Sequence, residues 1–114
     1  MHTANIPQTY FIIARPGGAA RLHQVKFEFD PKKSAGNKVK HGIDFIEAQA
    51  VWAALHVEVL AKTGAGEQCY AVLGKIGAAI YIVIITNRGA TRRIIAARPP
   101  TENEARIYEQ KIRR

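Results

Sequence analysis

The apolar and polar positions of the first third of the chain predict one strand followed by a helix. Residues 25–29 alternate apolar and charged side chains, as in a half-buried strand. Asp30 and Pro31 then predict the start of a helix, because Asp is a good N-cap and Pro fits the first helical position. That helix should run to about Lys40 and end at Gly42, which can adopt the left-handed conformation.

A second helix is predicted directly after the first. Asp44 and Glu47 have the spacing of a capping box, in which each side chain accepts a hydrogen bond from the other's backbone. Apolar residues then recur at helical spacing and predict one buried face. They are Phe45, Ala48, Val51, Trp52 and Leu55.

The remainder of the chain predicts four strands and a last helix. The strands are Val57–Ala61, Gln68–Gly74, Ala79–Thr86 and Arg92–Arg98, separated by turns that contain glycine. Thr101 and Glu104 repeat the capping-box pattern, and Ala105, Tyr108 and Ile112 predict the inner stripe of the final helix. The order is β-α-α-β-β-β-β-α. It predicts an α+β fold with two N-terminal helices and a C-terminal helix packed on an antiparallel sheet of about four strands.

Length and charge limit the domain organisation and the partners. The chain has 114 residues, so we expect one domain over residues 25–114, preceded by an appendage over residues 1–24. Its net charge of +8 predicts a positive surface that attracts polyanions. Its longest apolar run, Ala78–Ile85, is too short to span a bilayer, so we expect a cytoplasmic protein without a membrane partner.

One face of the first predicted helix carries the first candidate for chemistry. Lys33, Asn37, Lys40 and His41 fall at i, i+4, i+7 and i+8 and therefore project from one side. Cations and an amide on one stripe suit a phosphate backbone, although the same stripe also suits an ordinary solvated helix face. The helix dipole favours a protonated His41 in the last turn, where it can act as an acid or bond a carbonyl.

The last predicted strand carries the second candidate. Alternation places Arg92 and Arg98 on one face of the sheet and Arg93 on the other. An arginine on a partly apolar face, as Arg98 should be, usually binds a carboxylate or an anionic ligand. Glu67 and Glu109 are the possible carboxylate partners, and a structural ion pair is as well supported as a catalytic role.

Metal and cofactor chemistry is not indicated. The histidines are scattered without ligand spacing, and Cys69 is the only cysteine, so we expect neither a metal site nor a cofactor. Cys69 itself is expected to be a small reduced residue on a strand. A plain RNA-binding module is disfavoured, because Tyr70 and Tyr81 are the only aromatic residues on the four strands predicted after residue 56.

Two groups of motifs follow each other along the chain. The opening motif is Asp30-Pro31-Lys32-Lys33, Asn37, Lys40-His41-Gly42-Ile43, Phe45 and Glu47-Ala48. The later motifs are Gly66-Glu67, Gly74, Arg93-Ile94-Ile95, Ala97-Arg98, Glu104 and Tyr108-Glu109. In this order the motifs resemble those of BrnT-type toxins over about residues 26 to 110. The resemblance implies a fold similar to RelE-type ribonuclease toxins. It also implies a ribbon-helix-helix antitoxin that binds operator DNA, so that the toxin reaches DNA only through it.

The resemblance further implies a toxin of a type II toxin–antitoxin system that cleaves RNA without a metal. We expect catalysis by His41, Glu67, Arg93 and Arg98, with Glu67 or His41 moving the proton. We expect RNA phosphates to be bound by Lys33, Asn37, Lys40 and Arg92.

The sequence departs from the family pattern at two positions. Cys69 stands where the family carries an arginine, and Ala96 where it commonly carries a serine. Arg92 and Arg88 are the candidates to supply the missing guanidinium. These departures keep one alternative open, a catalytically weakened protein that acts mainly as an antitoxin-binding co-repressor.

Overall fold

Six strands, two α-helices and one 3₁₀ helix make up the part of the chain that the structure describes. The structure is a computed structural model, and it describes residues 11–14, 26–61 and 67–112. The strands are β1 (Phe11–Ala14), β2 (Lys26–Glu28), β3 (His56–Ala61), β4 (Cys69–Ile76), β5 (Ala79–Arg88) and β6 (Thr91–Arg98). The helices are α1 (Pro31–His41), the 3₁₀ helix (Glu47–Ala53) and α2 (Glu102–Ile112).

The strands form one mixed sheet in the order β1-β3-β4-β5-β6-β2. The meander β3-β4-β5-β6 is antiparallel, as predicted, whereas β2 pairs in parallel with β6 and β1 pairs antiparallel with β3. The prediction of an antiparallel sheet of about four strands was therefore wrong in strand number and in one pairing. The alternation of residues 25–29 predicted a strand but carried no information about its neighbour.

The predicted first helix is confirmed, and its ends follow the predicted capping residues. The side chain of Asp30 accepts a hydrogen bond of 2.9 Å from the backbone N–H of Lys32. Gly42 ends the helix with a φ of 79°, a left-handed conformation that costs glycine little. Its N–H donates to the carbonyl of Lys38 at 2.9 Å.

The second predicted helix is a 3₁₀ helix rather than an α-helix. Its capping box forms as predicted, since Asp44 accepts from the N–H of Glu47 at 2.7 Å and Glu47 accepts from the N–H of Asp44 at 2.9 Å. Its later bonds span three residues, as between the N–H of Ala54 and the carbonyl of Val51. Ala48 and Val51 are three residues apart and lie on one face in either helix type. The sequence period therefore could not distinguish the two.

Two apolar clusters pack on the two faces of the sheet. The first lies under α1 and the 3₁₀ helix and contains Ile43, Phe45, Ala48, Val51, Trp52, Val72, Val83, Ile85, Ile94 and Ala97. The second contains Val57, Val59, Ala61, Ala71, Leu73, Ile82 and Tyr108, the last from α2. The sheet thus has an α1 face and an α2 face.

The last helix begins at its predicted capping box but buries a different stripe. Thr101 Oγ1 accepts from the N–H of Glu104 at 3.2 Å, and Glu104 accepts from the N–H of Thr101 at 2.8 Å. The buried residues are Glu104, Ile107 and Tyr108, while Ala105 and Ile112 are half-buried. Only Tyr108 of the predicted stripe is buried, since the buried face of the helix runs through Glu104 and Ile107 instead of Ala105 and Ile112.

The predicted appendage lies mostly outside the described residues. Of residues 1–24 only Phe11–Ala14 are described, and they form β1. The division at residue 24 stays a prediction. No helix among the described residues is long and apolar enough to cross a membrane.

Candidate active site

A row of polar side chains crosses four strands near the end of the β5–β6 hairpin. Cys69, Thr86, Arg93 and Glu28 are register neighbours on β4, β5, β6 and β2. Directly paired residues point to the same face of a sheet. Because Cys69 packs against the cluster that contains Tyr108, these four residues, the cross-strand row, lie on the α2 face.

Arg88 and Glu67 lie beside this row. Arg88 is two residues after Thr86 on β5 and therefore shares its face. Its Nη2 atom lies 3.4 Å from Oε2 of Glu67, and both side chains are about half exposed. On β6, Nη1 of Arg93 lies 3.0 Å from Oε2 of Glu28, and these side chains are 34% and 40% exposed. The α2 face thus presents two arginines and two carboxylates to solvent.

Arg92 lies on the opposite face from Arg93. Its Nη1 atom lies 3.0 Å from Oε2 of Glu58 on β3, and Glu58 is the register neighbour of Val72 in the first apolar cluster. Both side chains are more buried than those of the Arg93 pair, with 29% and 12% exposed. This ion pair belongs to the α1 face.

A β-bulge in β6 reverses the predicted orientation of Arg98. Ile84 pairs with Ala96 and Ile85 with Ile94, so Ile95 is an extra residue in the ladder. Residues on either side of such a bulge no longer follow simple alternation. Arg93 and Arg98 therefore share the α2 face, and the prediction that Arg92 and Arg98 share one face was wrong.

Arg98 forms a buried ion pair at the other end of β6. Its Nη1 and Nη2 atoms lie 2.9 and 3.1 Å from the two carboxylate oxygens of Glu104, and Nη1 also donates to the carbonyl of Pro99. The prediction that Glu67 or Glu109 is the partner of Arg98 was wrong, because Glu104, the capping-box residue of α2, forms the ion pair instead. Arg98 lies five positions after Arg93 on the strand, roughly 16 Å away at about 3.3 Å per residue, so the structure does not bring the two together.

The residues of the predicted stripe on α1 differ in their surroundings: Asn37 is half-buried and bonded within the fold, whereas the two lysines face solvent. Asn37 donates to the carbonyls of Ile43 and Ala97 at 2.8 and 2.7 Å, and its oxygen accepts from the N–H of Ala97 at 3.3 Å. Its amide hydrogens are thus both used within the fold. Lys33 and Lys40 are exposed, and His41 is half-buried at the last residue of the helix.

Replacing Asn37 by alanine should destabilise the protein by about 2 kcal/mol, because two carbonyls lose their donor and one N–H loses its acceptor. Urea unfolding monitored by circular dichroism measures this change. Asn103→Ala, at an exposed position of α2, is the matched control and should change the unfolding free energy by less than about 0.5 kcal/mol. Equal effects of the two substitutions would show that the hydrogen bonds of Asn37 do not stabilise the packing of α1 on β6.

Two residues of this region, Glu28 and Glu58, were not selected from the sequence. They had no signal beyond strand alternation, because their arginine partners come from strands distant in the sequence. Arg88 was named from the sequence only as a possible substitute for the arginine missing at Cys69, and Gly89 directly after it marks a turn that places Arg88 at a strand end. Among the described residues, no three His, Cys, Asp or Glu side chains converge as a metal site.

Comparison with known proteins finds a matching family model and solved structures of similar fold. Residues 29–104 match the family model described as ribonuclease toxin, BrnT, of type II toxin–antitoxin system. The crystal structure of the Brucella abortus ribonuclease toxin BrnT aligns with a TM-score of 0.52 and 23% sequence identity, over 68% of this chain and 99% of that one. No curated protein matches the chain significantly. The structural match is evidence for a shared α+β fold.

Proposed function

Because this chain belongs to the BrnT ribonuclease toxin family of type II toxin–antitoxin systems, we propose that it is an endoribonuclease that cleaves RNA without a metal in the cytoplasm. One structural observation supports the proposal in addition to the family membership. The α2 face presents Arg88, Arg93, Glu67 and Glu28 in half-exposed pairs. An arginine can stabilise phosphate charge and a carboxylate can accept a proton, so this face holds both groups that the reaction needs.

The reaction uses the 2′-hydroxyl of RNA as an internal nucleophile. Glu67 takes the proton of this hydroxyl, the O2′–P bond forms and the P–O5′ bond breaks, and the 5′-oxygen leaves with a proton from solvent. Arg93 donates hydrogen bonds to the phosphate oxygens as their negative charge grows. Of the two candidates for proton transfer, we favour Glu67 over His41. His41 lies on α1, and Asn37 bonds this helix to Ala97, at the end of β6 far from Arg93.

The remaining predicted site residues have supporting roles in this proposal. Lys33 and Lys40 on α1, with Arg92 at the hairpin end, bind backbone phosphates further along the RNA. Asn37 binds α1 to β6 through the carbonyl of Ala97, and Arg98 binds α2 to β6 through Glu104. Both residues therefore position the site without touching RNA.

Membership of the family implies an antitoxin and an RNA target. We propose that the antitoxin is a ribbon-helix-helix protein that neutralises the toxin and binds operator DNA, and that the toxin has a fold similar to RelE-type ribonuclease toxins. The net charge of +8 supports binding to either an acidic antitoxin segment or RNA.

Incubation of the purified protein with total RNA, with and without EDTA, tests the function. We expect cleavage at equal rates in both samples, with 2′,3′-cyclic phosphate and 5′-hydroxyl ends. Cleavage that stops with EDTA would contradict the metal-free reaction.

One observation favours a second function, an antitoxin-binding co-repressor with weakened catalysis. Cys69 occupies the cross-strand row at the position where the resemblance expects an arginine. This alternative predicts that neither naked RNA nor ribosome-bound mRNA is cleaved, and that expression of the protein does not slow growth.

A further inference from the structure

Two arginines on the α2 face are close enough to act on one ligand. Thr86 pairs with Arg93 and Arg88 pairs with Thr91, so Arg88 and Arg93 are diagonal neighbours on β5 and β6. The Cα atoms of such neighbours lie about 7–8 Å apart, a separation that the long arginine side chains can bridge. Both belong to one antiparallel hairpin, which fixes their relative position.

Among the described residues, each of these arginines has one carboxylate partner, which lies on its outer side. Glu67 contacts Arg88 at 3.4 Å and Glu28 contacts Arg93 at 3.0 Å, each through one nitrogen and one oxygen. A guanidinium has five N–H donors, so one contact leaves most of its donors available to a ligand. Arg98 is different, because its two-pronged pair with buried Glu104 uses both terminal nitrogens.

Stability alone does not account for the Arg88 and Arg93 pairs. Ion pairs as exposed as these contribute about 0–1 kcal/mol, and the two neighbouring guanidiniums repel each other. An anion between them would remove that repulsion and accept hydrogen bonds from both.

We propose that Arg88 and Arg93 form a clamp for a single phosphoryl group, and that Arg88 is a catalytic residue. The inference rests on the proposed function, in which this group is the scissile phosphate of RNA. Each arginine donates to a non-bridging oxygen, and Glu67, next to Arg88, lies on the side from which the 2′-hydroxyl is deprotonated. Cys69 leaves β4 without the arginine that the family carries there. Arg88 thus supplies the second guanidinium from β5, the strand that pairs with β4 at Cys69.

The test is a double-mutant cycle with two readouts. Single-turnover cleavage of an oligoribonucleotide is measured for Arg88→Ala, Arg93→Ala, the double variant and Arg88→Lys. Affinity is measured for the same sequence with 2′-O-methyl groups, which cannot be cleaved. Arg106→Ala is the matched control, because Arg106 is exposed on α2 and its removal changes the net charge equally.

We expect each arginine-to-alanine change to lower cleavage by about 100-fold and binding by tenfold or more relative to Arg106→Ala. The double variant should lose much less than the product of the single losses, because both side chains bind one group. Arg88→Lys should restore less than a tenth of the lost rate, since lysine lacks the planar pair of donors.

The outcomes separate the clamp from the proposed function. If the wild type cleaves RNA but Arg88→Ala behaves like Arg106→Ala, the clamp is wrong and the ribonuclease assignment stands. If the wild type does not cleave RNA, the ribonuclease assignment fails and the binding measurement decides the clamp. The clamp would then be overturned if the single variants bound 2′-O-methyl RNA as tightly as the wild type. It would also be overturned if the double variant lost as much affinity as the two single losses added together.

Discussion

Glu67→Gln should lower the single-turnover rate of RNA cleavage by about 1,000-fold, within the range of about 10²–10⁴ that general acid–base catalysis contributes. The substitution keeps the size of the side chain and its ability to contact Arg88, but the neutral amide cannot accept the proton of the 2′-hydroxyl. Because the ground state does not require proton transfer, affinity for 2′-O-methyl RNA should stay within about threefold of the wild type.

The matched control for this substitution is Glu102→Gln, which neutralises an exposed carboxylate in the first turn of α2. It should leave both the rate and the affinity within about twofold. A Glu67→Gln variant that cleaves RNA as fast as Glu102→Gln would show that another group takes the proton. His41→Gln would then be the next variant, since His41 was the other candidate in the sequence.

The ends of the helices could be predicted from the sequence because the signals are local. Asp30 caps the first helix and Gly42 ends it, and both assignments depend on side chains within a few residues of the backbone groups that they satisfy. The capping box of Thr101 and Glu104 forms for the same reason. The meander of four strands also follows from local alternation and glycine turns.

The geometry of the candidate site could not be predicted in the same way, because it depends on register between strands. The extra residue Ile95 turns Arg98 to the face that carries Arg93, and nothing in the sequence of β6 marks this position as a bulge. The parallel pairing of β2 with β6 brings Glu28 to Arg93 across a separation of 65 residues. The sequence identified Glu67 and Arg93 through family motifs. It offered Arg88 only as one of two substitutes for the arginine missing at Cys69, and the contact of Arg88 with Glu67 distinguishes it from the other, Arg92.

Glu104→Ala should destabilise the protein by about 3 kcal/mol, the low end of the range for breaking a buried ion pair. Only 6% of the Glu104 side chain is exposed, and removing it leaves the guanidinium of Arg98, itself 20% exposed, without its carboxylate. The N–H of Thr101 also loses its acceptor at the start of α2. The melting temperature should fall by roughly 10–15 °C. Glu109→Ala, at the exposed carboxylate that the sequence offered as a partner of Arg98, should cost less than about 0.5 kcal/mol.

The same pair should make stability depend on pH in the acid range. Burial by itself raises the pKa of Glu104, but hydrogen bonds from Arg98 and Thr101 and the charge of Arg98 outweigh burial, so the pKa is lowered from its ordinary value of 4.5. A carboxyl whose pKa is lower in the folded state stabilises the fold fully above its unfolded pKa, and this contribution is lost as the pH falls through the folded pKa. The difference in unfolding free energy between the wild type and Glu104→Gln should therefore be constant above about pH 5 and shrink below it. A difference that stays constant down to pH 3 would mean that the negative charge of Glu104 does not stabilise the fold and that its contribution is packing and capping alone.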